Sequence, residues 1–500
     1  MKALLTHPTE DLDTGRGLPD HAAALAQDLE LETVLEAMAG GDRYVRDVAE
    51  RVLLGAAPDI DTIVYRQEVL ADCLGHPGLA RELYTLASSA IEEERQLSFG
   101  RFGSEPDTIL SRAVRVMDLF VDTLRRMRIA ADKHAEAVGS RGLVRLAAML
   151  SDELDEAYLQ SIEGYLGELR FPQGLLLSAE LGRGNTGVNH VLRRPPQRGR
   201  LAQLFERAPQ GEGFALADHD ERGHKALSEL RGRAINGVAN ALAQSCDHIL
   251  GFLALLRAEL AFYLGAVNLH RRLEEVGAPT CVPTPMGRER GAWRARDLYD
   301  PSLALTLGRA PVGNDVDAEG ASLVMITGAN QGGKSTLLRS VGLAQLMFQA
   351  GVFAPAAAFE ASPVSGVYSH FPREEDASMQ RGKLDEELAR MSAIVDAVDT
   401  GALVLCNESF ASTNEREGSE IARHVVTALR EAGVRVAYVT HMYELARTFI
   451  DEQREEVRFL RAERGEAGER TYRLAESPPL PTSFGEDTYA RVFGASLGQQ

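Results

Sequence analysis

The stretch ASLVMITGANQGGKSTLLRS, residues 321–340, decides how the C-terminal half of this chain is read. Its first part, SLVMIT, is a short apolar run of strand type bounded by a glycine. The following residues, Gly328, Ala329, Asn330, Gln331, Gly332, Gly333, Lys334 and Ser335, spell G-x-x-x-x-G-K-S. The next residues, from Lys334 to about 350, have helical character. Glycines let the backbone curl so that successive N–H groups point inward at phosphate oxygens. The start of the helix adds partial positive charge. Lys334 has the length to reach terminal phosphates, and the Ser335 hydroxyl can ligate Mg²⁺. Thr336 closes the set of candidate nucleotide-binding residues. The bland alternative is a glycine-rich turn carrying an exposed lysine.

Working outward, the run Ala402-Leu-Val-Leu-Cys406 reads as a second strand and ends in Asn407-Glu408. An acidic residue at that tip stands beside the phosphates and can orient the attacking water. Glu408 is therefore the candidate catalytic carboxylate, the alternative being a mere turn cap. Asn407 is a candidate metal ligand with Ser335, through a neutral carbonyl oxygen. A third strand, VRVAYVT (434–440), ends at His441, placed to contact the γ-phosphate or the water. The candidate catalytic set is Glu408, His441 and Lys334. Strands alternating with helices at 334–350 and 416–432 imply an α/β domain with a largely parallel sheet.

The whole chain has 500 residues, room for two to four domains at roughly 100–200 residues each. With 44% hydrophobic and 25% charged residues it has an ordinary globular balance. The formal charge of −19 excludes uniform attraction to nucleic acid and confines any such contact to a local patch. The four cysteines, Cys73, Cys246, Cys281 and Cys406, form no C-x-x-C pair, so neither a zinc nor a disulfide framework is expected. Cys406, close to Glu408, is a candidate for oxidation sensitivity. MKALLTHPTEDLD has no signal-peptide core. The most apolar segment, ILGFLALL, is cut by Arg257 and Glu259, short of the roughly 20 apolar residues of a membrane span. The expectation is a cytoplasmic protein with no membrane partner.

Upstream of 275 the chain reads as almost all helix. Residues 22–100 give short helices punctuated at Gly40-Gly41, Pro58 and His76-Pro77-Gly78. Longer helices follow over 107–170, broken near Gly139–Gly142. Residues 171–222 turn to Gly, Pro and Arg and can hold a short hairpin. From 222 to 274 an apolar stripe recurs at spacings of three, four and seven, including Leu227, Leu230, Ile235, Leu253, Leu256 and Leu260. One helix of roughly 50 residues would be about 75 Å long. Two or three consecutive core helices are the alternative. Pro279, Pro283 and Pro285 then mark a boundary.

At these residues the chain resembles the MutS family of DNA mismatch-repair ATPases, within the ABC-type superfamily. ITGANQGGKSTLLRS looks like the family's ITGPNMGGKST, with Ala329 for Pro and Gln331 for Met. QAGVFAPA (349–356) is similar to the segment that ends the following helix. NESFASTNEREG (407–418) resembles DE-x-G-R-G-T-S-T-x-D-G: Glu408, Thr413 and Gly418 match, Glu417 stands for Asp, and Asn407 departs. VTHMYELA (439–446) resembles A-T-H-[YF]-x-E-L, and Asn314-Asp315 look like the family's Asn-Asp pair. DIDTIVYRQEVLADCLGHPGLARELY (59–84) is similar to the family's core segment.

The resemblance implies a multidomain chain: an all-α core and lever domain, then an α/β P-loop ATPase domain of ABC type. The expected divisions are a helical core at 1–130, a long-helix lever region at 131–275 with an Arg-rich insert near 171–222, and the ATPase domain at 276–500. It further implies ATP and Mg²⁺ as cofactors, a homodimer through the ATPase domains, and DNA as partner in mismatch repair or recombination. The core-like segment begins so early that no place is left for the family's mismatch-reading domain. The signature S-T-F-x-x-E aligns with Gly382-Lys383-Leu384-Asp385-Glu386-Glu387, so its serine is missing; Lys383 and Ser378 are the candidates to replace it. The aromatic that stacks on adenine aligns with Pro311.

DNA contact would need positive charge on the arm. RRPPQRGR supplies Arg193, Arg194, Arg198 and Arg200, which can neutralise phosphates or simply form a solvated loop. The Asp385-Glu386-Glu387 triplet reads as the charge preference of a helix start. Three classes of function stay open: a DNA-dependent ATPase, an ABC-type ATPase remodelling a protein or ribonucleoprotein, and a poorly hydrolysing ATP-switched interaction module. Slow hydrolysis is favoured by Asn407.

Overall fold

The computed structural model describes residues 1–55, 59–98, 105–172, 174–194, 215–373, 382–451, 456–465 and 469–481. Its elements begin with α1 (Ala22–Asp28), α2 (Leu31–Ala39), α3 (Arg43–Leu53), α4 (Ile60–Gly75), α5 (Pro77–Ser98), α6 (Pro106–His134), α7 (Arg141–Glu153) and α8 (Glu156–Leu169). Asp42, Asp59 and Asp155 start α3, α4 and α8 by accepting bonds from the first helical N–H groups. A hairpin of β1 (Leu176–Leu181) and β2 (Gly187–Arg193) follows, then α9 (Glu221–Glu275). The remainder is β3 (Thr284–Pro285), β4 (Trp293–Leu298), α10 (Pro301–Leu307), β5 (Asn314–Asp317), β6 (Leu323–Thr327), α11 (Lys334–Ala350), β7 (Ala358–Ala361), β8 (Val367–His370), α12 (Lys383–Ala397), β9 (Leu403–Asn407), α13 (Glu415–Glu431), β10 (Arg435–Val439), α14 (Tyr443–Asp451), β11 (Val457–Arg464) and β12 (Arg470–Glu476).

The chain divides into two compact units that interleave along the sequence. One comprises Met1–Ala3, Arg81–Val138 and Val144–Arg257; the other comprises Leu4–Ala80, Gly139–Leu143 and Ala258–Gln500. In the first, α6 buries Leu110, Val114, Met117, Val121 and Leu124 at helical spacing. Arg125 of α6 pairs with Glu156 and Glu163 of α8, at 3.3 and 2.9 Å.

The region 222–274 is one continuous helix, not a series of shorter ones. The apolar stripe is not uniformly buried, however. Leu227 and Leu230 are exposed, and burial starts at Ile235. By length and composition α9 is long and apolar enough to cross a membrane, with a window of mean hydropathy 1.7, of which 67% is buried inside the protein. A buried core helix passes the same test, so the expectation drawn from Arg257 and Glu259 is not overturned. Glu259 is fully buried and accepts the backbone N–H groups of Leu5 and Leu12, so its charge has partners inside the fold.

The second unit holds a six-stranded sheet of order β12-β11-β6-β10-β9-β8. Strands β11, β6, β10, β9 and β8 are parallel, and β12 returns antiparallel to β11. In register, Val436 faces Leu323 on one side and Val404 on the other. Ala402, Val404, Leu405 and Cys406 are fully buried, as expected of a strand covered on both faces. Helix α11 packs against β9, β10, α3, α4 and β4, which is why it is buried nearly all round, Gln345 and Gln349 included. A four-stranded sheet of order β3-β7-β4-β5 lies in the same unit. Trp293 of β4 is buried there and donates its indole N–H to Gln345 of α11 at 3.2 Å.

Candidate functional site

Strands β6, β10 and β9 are neighbours and parallel, so their carboxyl ends open on one edge, where ligands of such sheets bind. From the end of β6 the chain enters Gly328–Gly333. Gly328, Gln331 and Gly333 adopt φ of 113, 59 and 91°. Gly328 also has no room for a side chain, since a Cβ would lie 2.8 Å from the Ala462 backbone nitrogen. No side chain caps α11 at Gly333, so its first N–H groups face the loop uncapped.

Lys334 is 5% exposed, which removes the reading of a surface turn with a solvated lysine. Its Nζ donates to the carbonyl oxygens of Gly328 and Ala329, at 3.1 and 3.0 Å. Burial pushes its pKa down, while Glu408 nearby opposes that shift. The Ser335 hydroxyl donates to Asn407 Oδ1 at 2.8 Å, which brings together the two candidate metal ligands, 72 residues apart in sequence. Both supply oxygens, the donor type that suits Mg²⁺, but neither brings a charge.

Glu408 follows at the tip of β9, and His441 lies just past the tip of β10. His441 Nδ1 stands 3.9 Å from Glu408 Oε2, an ion-pair distance rather than a hydrogen bond. The partnership with His441, helped by Lys334, holds the Glu408 carboxyl below the usual range, and Glu408 in turn raises His441. Glu408 and Phe410 have φ of 50 and 64°, a conformation costing roughly 1–2 kcal/mol for each non-glycine residue.

A cleft of about 730 Å³ is lined by the loop from Asn330 to Thr336 and by Glu408. Gln331, Lys334, Ser335, Thr336 and Glu408 line one end of it. Leu303, Leu307, Pro311 and Tyr472 line the rest. Helix α10, which carries the two leucines, is capped by the fully buried Asp300, and Arg339 of α11 bonds Asp300 at 2.8 Å. Asn314 ties β5 to β12, donating to the Tyr472 carbonyl at 3.2 Å and accepting from Leu474 N at 2.7 Å. Tyr472 was not singled out from sequence, because its proximity arises from the antiparallel return of β12.

The acidic triplet needs correction. Asp385 and Glu386 lie in the first turn of α12, but Glu387 is buried and accepts the Phe410 N–H at 2.8 Å. The signal was present: Glu387, Met391 and Ile394 share one helical face. Cys406 is fully buried and its thiol is pushed up to about 12, which argues against oxidation sensitivity. Lys383 opens α12; Ser378 lies outside the described residues.

The candidate DNA arginines are remote from this cleft in sequence and belong to the other compact unit. Arg193 donates to Ser178 Oγ at 2.9 Å, and Arg194 pairs with Glu168. Both are exposed; Arg198 and Arg200 lie outside the described residues.

Two family profiles match the chain: one described as the MutS2 N-terminal domain over residues 58–276, the other as MutS domain V over residues 324–485. The chain is similar to an endonuclease MutS2 of Thermomicrobium roseum, 31% identical over 433 residues, covering 81% of this chain and 50% of that protein. It is similar to a DNA mismatch repair protein MutS 2 of Haloarcula marismortui, 25% identical over 468 residues, covering 83% and 49%. A DNA mismatch repair protein MutS of Chloroflexus aurantiacus is 29% identical over 224 residues, covering 44% and 23%. The chain thus spans half or less of the length of these curated relatives. With both profiles matching successive parts of it, the loop and Glu408 lining one cleft, and His441 3.9 Å from Glu408, the chain belongs to the MutS family.

Proposed function

We propose that this chain is an ATPase with a P-loop domain of ABC type, and that ATP binding and hydrolysis govern its contact with DNA. The observation that carries this reading is the convergence of Lys334, Ser335, Asn407, Glu408 and His441 at the carboxyl ends of three adjacent parallel strands. The loop N–H groups and the start of α11 receive phosphate oxygens. Lys334 exchanges its bonds to the Gly328 and Ala329 carbonyls for phosphate oxygens. Ser335 and Asn407 hold Mg²⁺, which neutralises phosphate charge when bound. Glu408, ionised at neutral pH, orients the attacking water, and His441 senses the γ-phosphate. Leu303, Leu307 and Tyr472 offer apolar surface to the base, where Pro311 replaces the family's aromatic. Two copies facing each other through these domains fit the family plan, with Lys383 or Ser378 substituting for the signature serine.

The relatives' names, DNA mismatch repair protein and endonuclease MutS2, support DNA as the partner. The test is ATP hydrolysis with no DNA and with homoduplex, mismatched or branched DNA. Stimulation by one of these supports the proposal; identical rates in all four would favour a protein or ribonucleoprotein as the partner. Changing Arg193, Arg194, Arg198 and Arg200 to Ala should weaken DNA binding and flatten the log–log salt dependence by about 3–4 units. An unchanged slope removes this segment from the interface.

Asn407 is a neutral ligand where the family carries a carboxylate. Asn407→Asp should lower the Mg²⁺ concentration that half-saturates nucleotide binding about 10-fold, equivalent to about 1.4 kcal/mol. Equal Mg²⁺ titrations of the two proteins would refute a ligand role for Asn407.

A further inference from the structure

The turn that carries Glu408 is held from three directions by side chains, among them Glu387, the last residue of the aligned signature segment. The Ser409 hydroxyl lies 2.7 Å from Nδ1 of His370 and 3.1 Å from the His370 carbonyl oxygen. The Tyr438 hydroxyl donates to the Ser409 carbonyl at 2.7 Å. Glu387 accepts the Phe410 N–H at 2.8 Å, and the Phe410 ring is fully buried beside the His370 ring, 5.6 Å between centroids. Gly418 seals the far side: a Cβ there would fall 2.4 Å from the Phe410 carbonyl oxygen. His370 lies on β8, Glu387 on α12, and Tyr438 on β10.

This degree of support exceeds what a surface turn needs. Residues 408–410 include two left-handed non-glycine residues, a conformation that persists only where the surroundings over-determine it. His370 Nε2 lies 3.0 Å from the Glu387 carbonyl, so the same two residues also brace each other. His370 is 1% exposed; burial, reinforced by the charge of Arg390, pushes it down to about 4 and keeps it neutral at physiological pH. With Nε2–H given to that carbonyl, Nδ1 is the acceptor left for the Ser409 hydroxyl. The single Ser409 hydroxyl proton goes to Nδ1, the nearer of its two acceptors.

From this geometry we propose that Glu387, Tyr438 and His370 are positioning residues that hold the Glu408 carboxylate at the γ-phosphate end of the cleft. The proposal rests on the reading of Glu408 as the residue that orients water. It adds that α12, the helix that opens on the aligned signature segment, bears directly on the Glu408 turn through Glu387. A movement of α12 would thereby reach the water-orienting carboxylate without touching the nucleotide loop.

A misplacement of about 1 Å can cost on the order of 100-fold in rate. Glu387→Ala is expected to lower kcat by about 10- to 100-fold, with the affinity for an ATP analogue changed by less than about 3-fold. Glu387→Gln, which keeps an acceptor oxygen, should recover most of that loss. Tyr438→Phe removes one hydroxyl, preserves the packing and should lower kcat about 3- to 10-fold, which keeps the test usable should Glu387→Ala fail to fold. In a Glu408→Gln background, followed by single-turnover hydrolysis over hours, Tyr438→Phe and Glu387→Ala should cause no further loss. Wild-type kcat in Tyr438→Phe and Glu387→Ala, or full additivity with Glu408→Gln, would overturn the proposal alone. A wild-type rate in Glu408→Gln by itself would overturn the reading of Glu408 and this proposal together.

Discussion

Glu408→Gln is expected to bind ATP as the parent does and to hydrolyse it at least ~100-fold more slowly. The substitution keeps the size, turns one acceptor oxygen into an NH2 donor and removes the negative charge. That charge is available at neutral pH because His441, 3.9 Å away, and Lys334 hold the carboxyl below its usual range. Removing a positioned base typically costs 10²–10⁴-fold in rate. Nucleotide affinity should hold or rise slightly, since one negative charge near the phosphates is lost. Hydrolysis at the parental rate would dismiss Glu408 as the water-orienting group. A parent with no measurable turnover, yet with tight ATP binding, would mark the chain as an ATP-switched module.

Lys334→Ala is expected to weaken nucleotide binding by about 100-fold, with hydrolysis lost at ordinary ATP concentrations. The estimate follows from one or two charge-assisted hydrogen bonds at roughly 1.5–3 kcal/mol each. Lys334 is buried and already anchored on the carbonyls of Gly328 and Ala329. Its charge is therefore pre-positioned, and little ordering entropy opposes its transfer to phosphate. Equilibrium binding of a fluorescent ATP analogue measures the effect directly. Affinity within about 3-fold of the parent would show that the loop binds without the lysine. Thermal unfolding should change much less, because the substitution also removes the cost of burying an ammonium group.

Several elements were legible because local chemistry dictates them. The strand 322–327, the glycine turn and the helix from Lys334 form one continuous signal, and α11 spans 334–350 as its apolar residues indicate. The hairpin within 171–222 and the continuous α9 follow likewise from alternation, turn residues and helical spacing. Exposure along α9 did not follow, since Leu227 and Leu230 share the spacing of Ile235 yet stay in solvent. Spacing states which residues share a face but not where a neighbour covers it.

The candidate site divides in the same way. Glycines at 328, 332 and 333, the Lys334-Ser335 pair, and polar residues ending apolar strands are local features, dictated by the chemistry of phosphate and by the reach of single side chains. The meeting of Ser335 with Asn407, the wall formed by Tyr472, and the brace of His370, Glu387 and Tyr438 around Glu408 came from the fold alone. These contacts depend on strand order and helix rotation, which set distances between residues far apart in the chain. A buried glutamate in an acidic triplet illustrates the difference. Composition places it at a solvated helix start, whereas packing turns one member inward, where an otherwise unpaired backbone N–H makes its burial favourable.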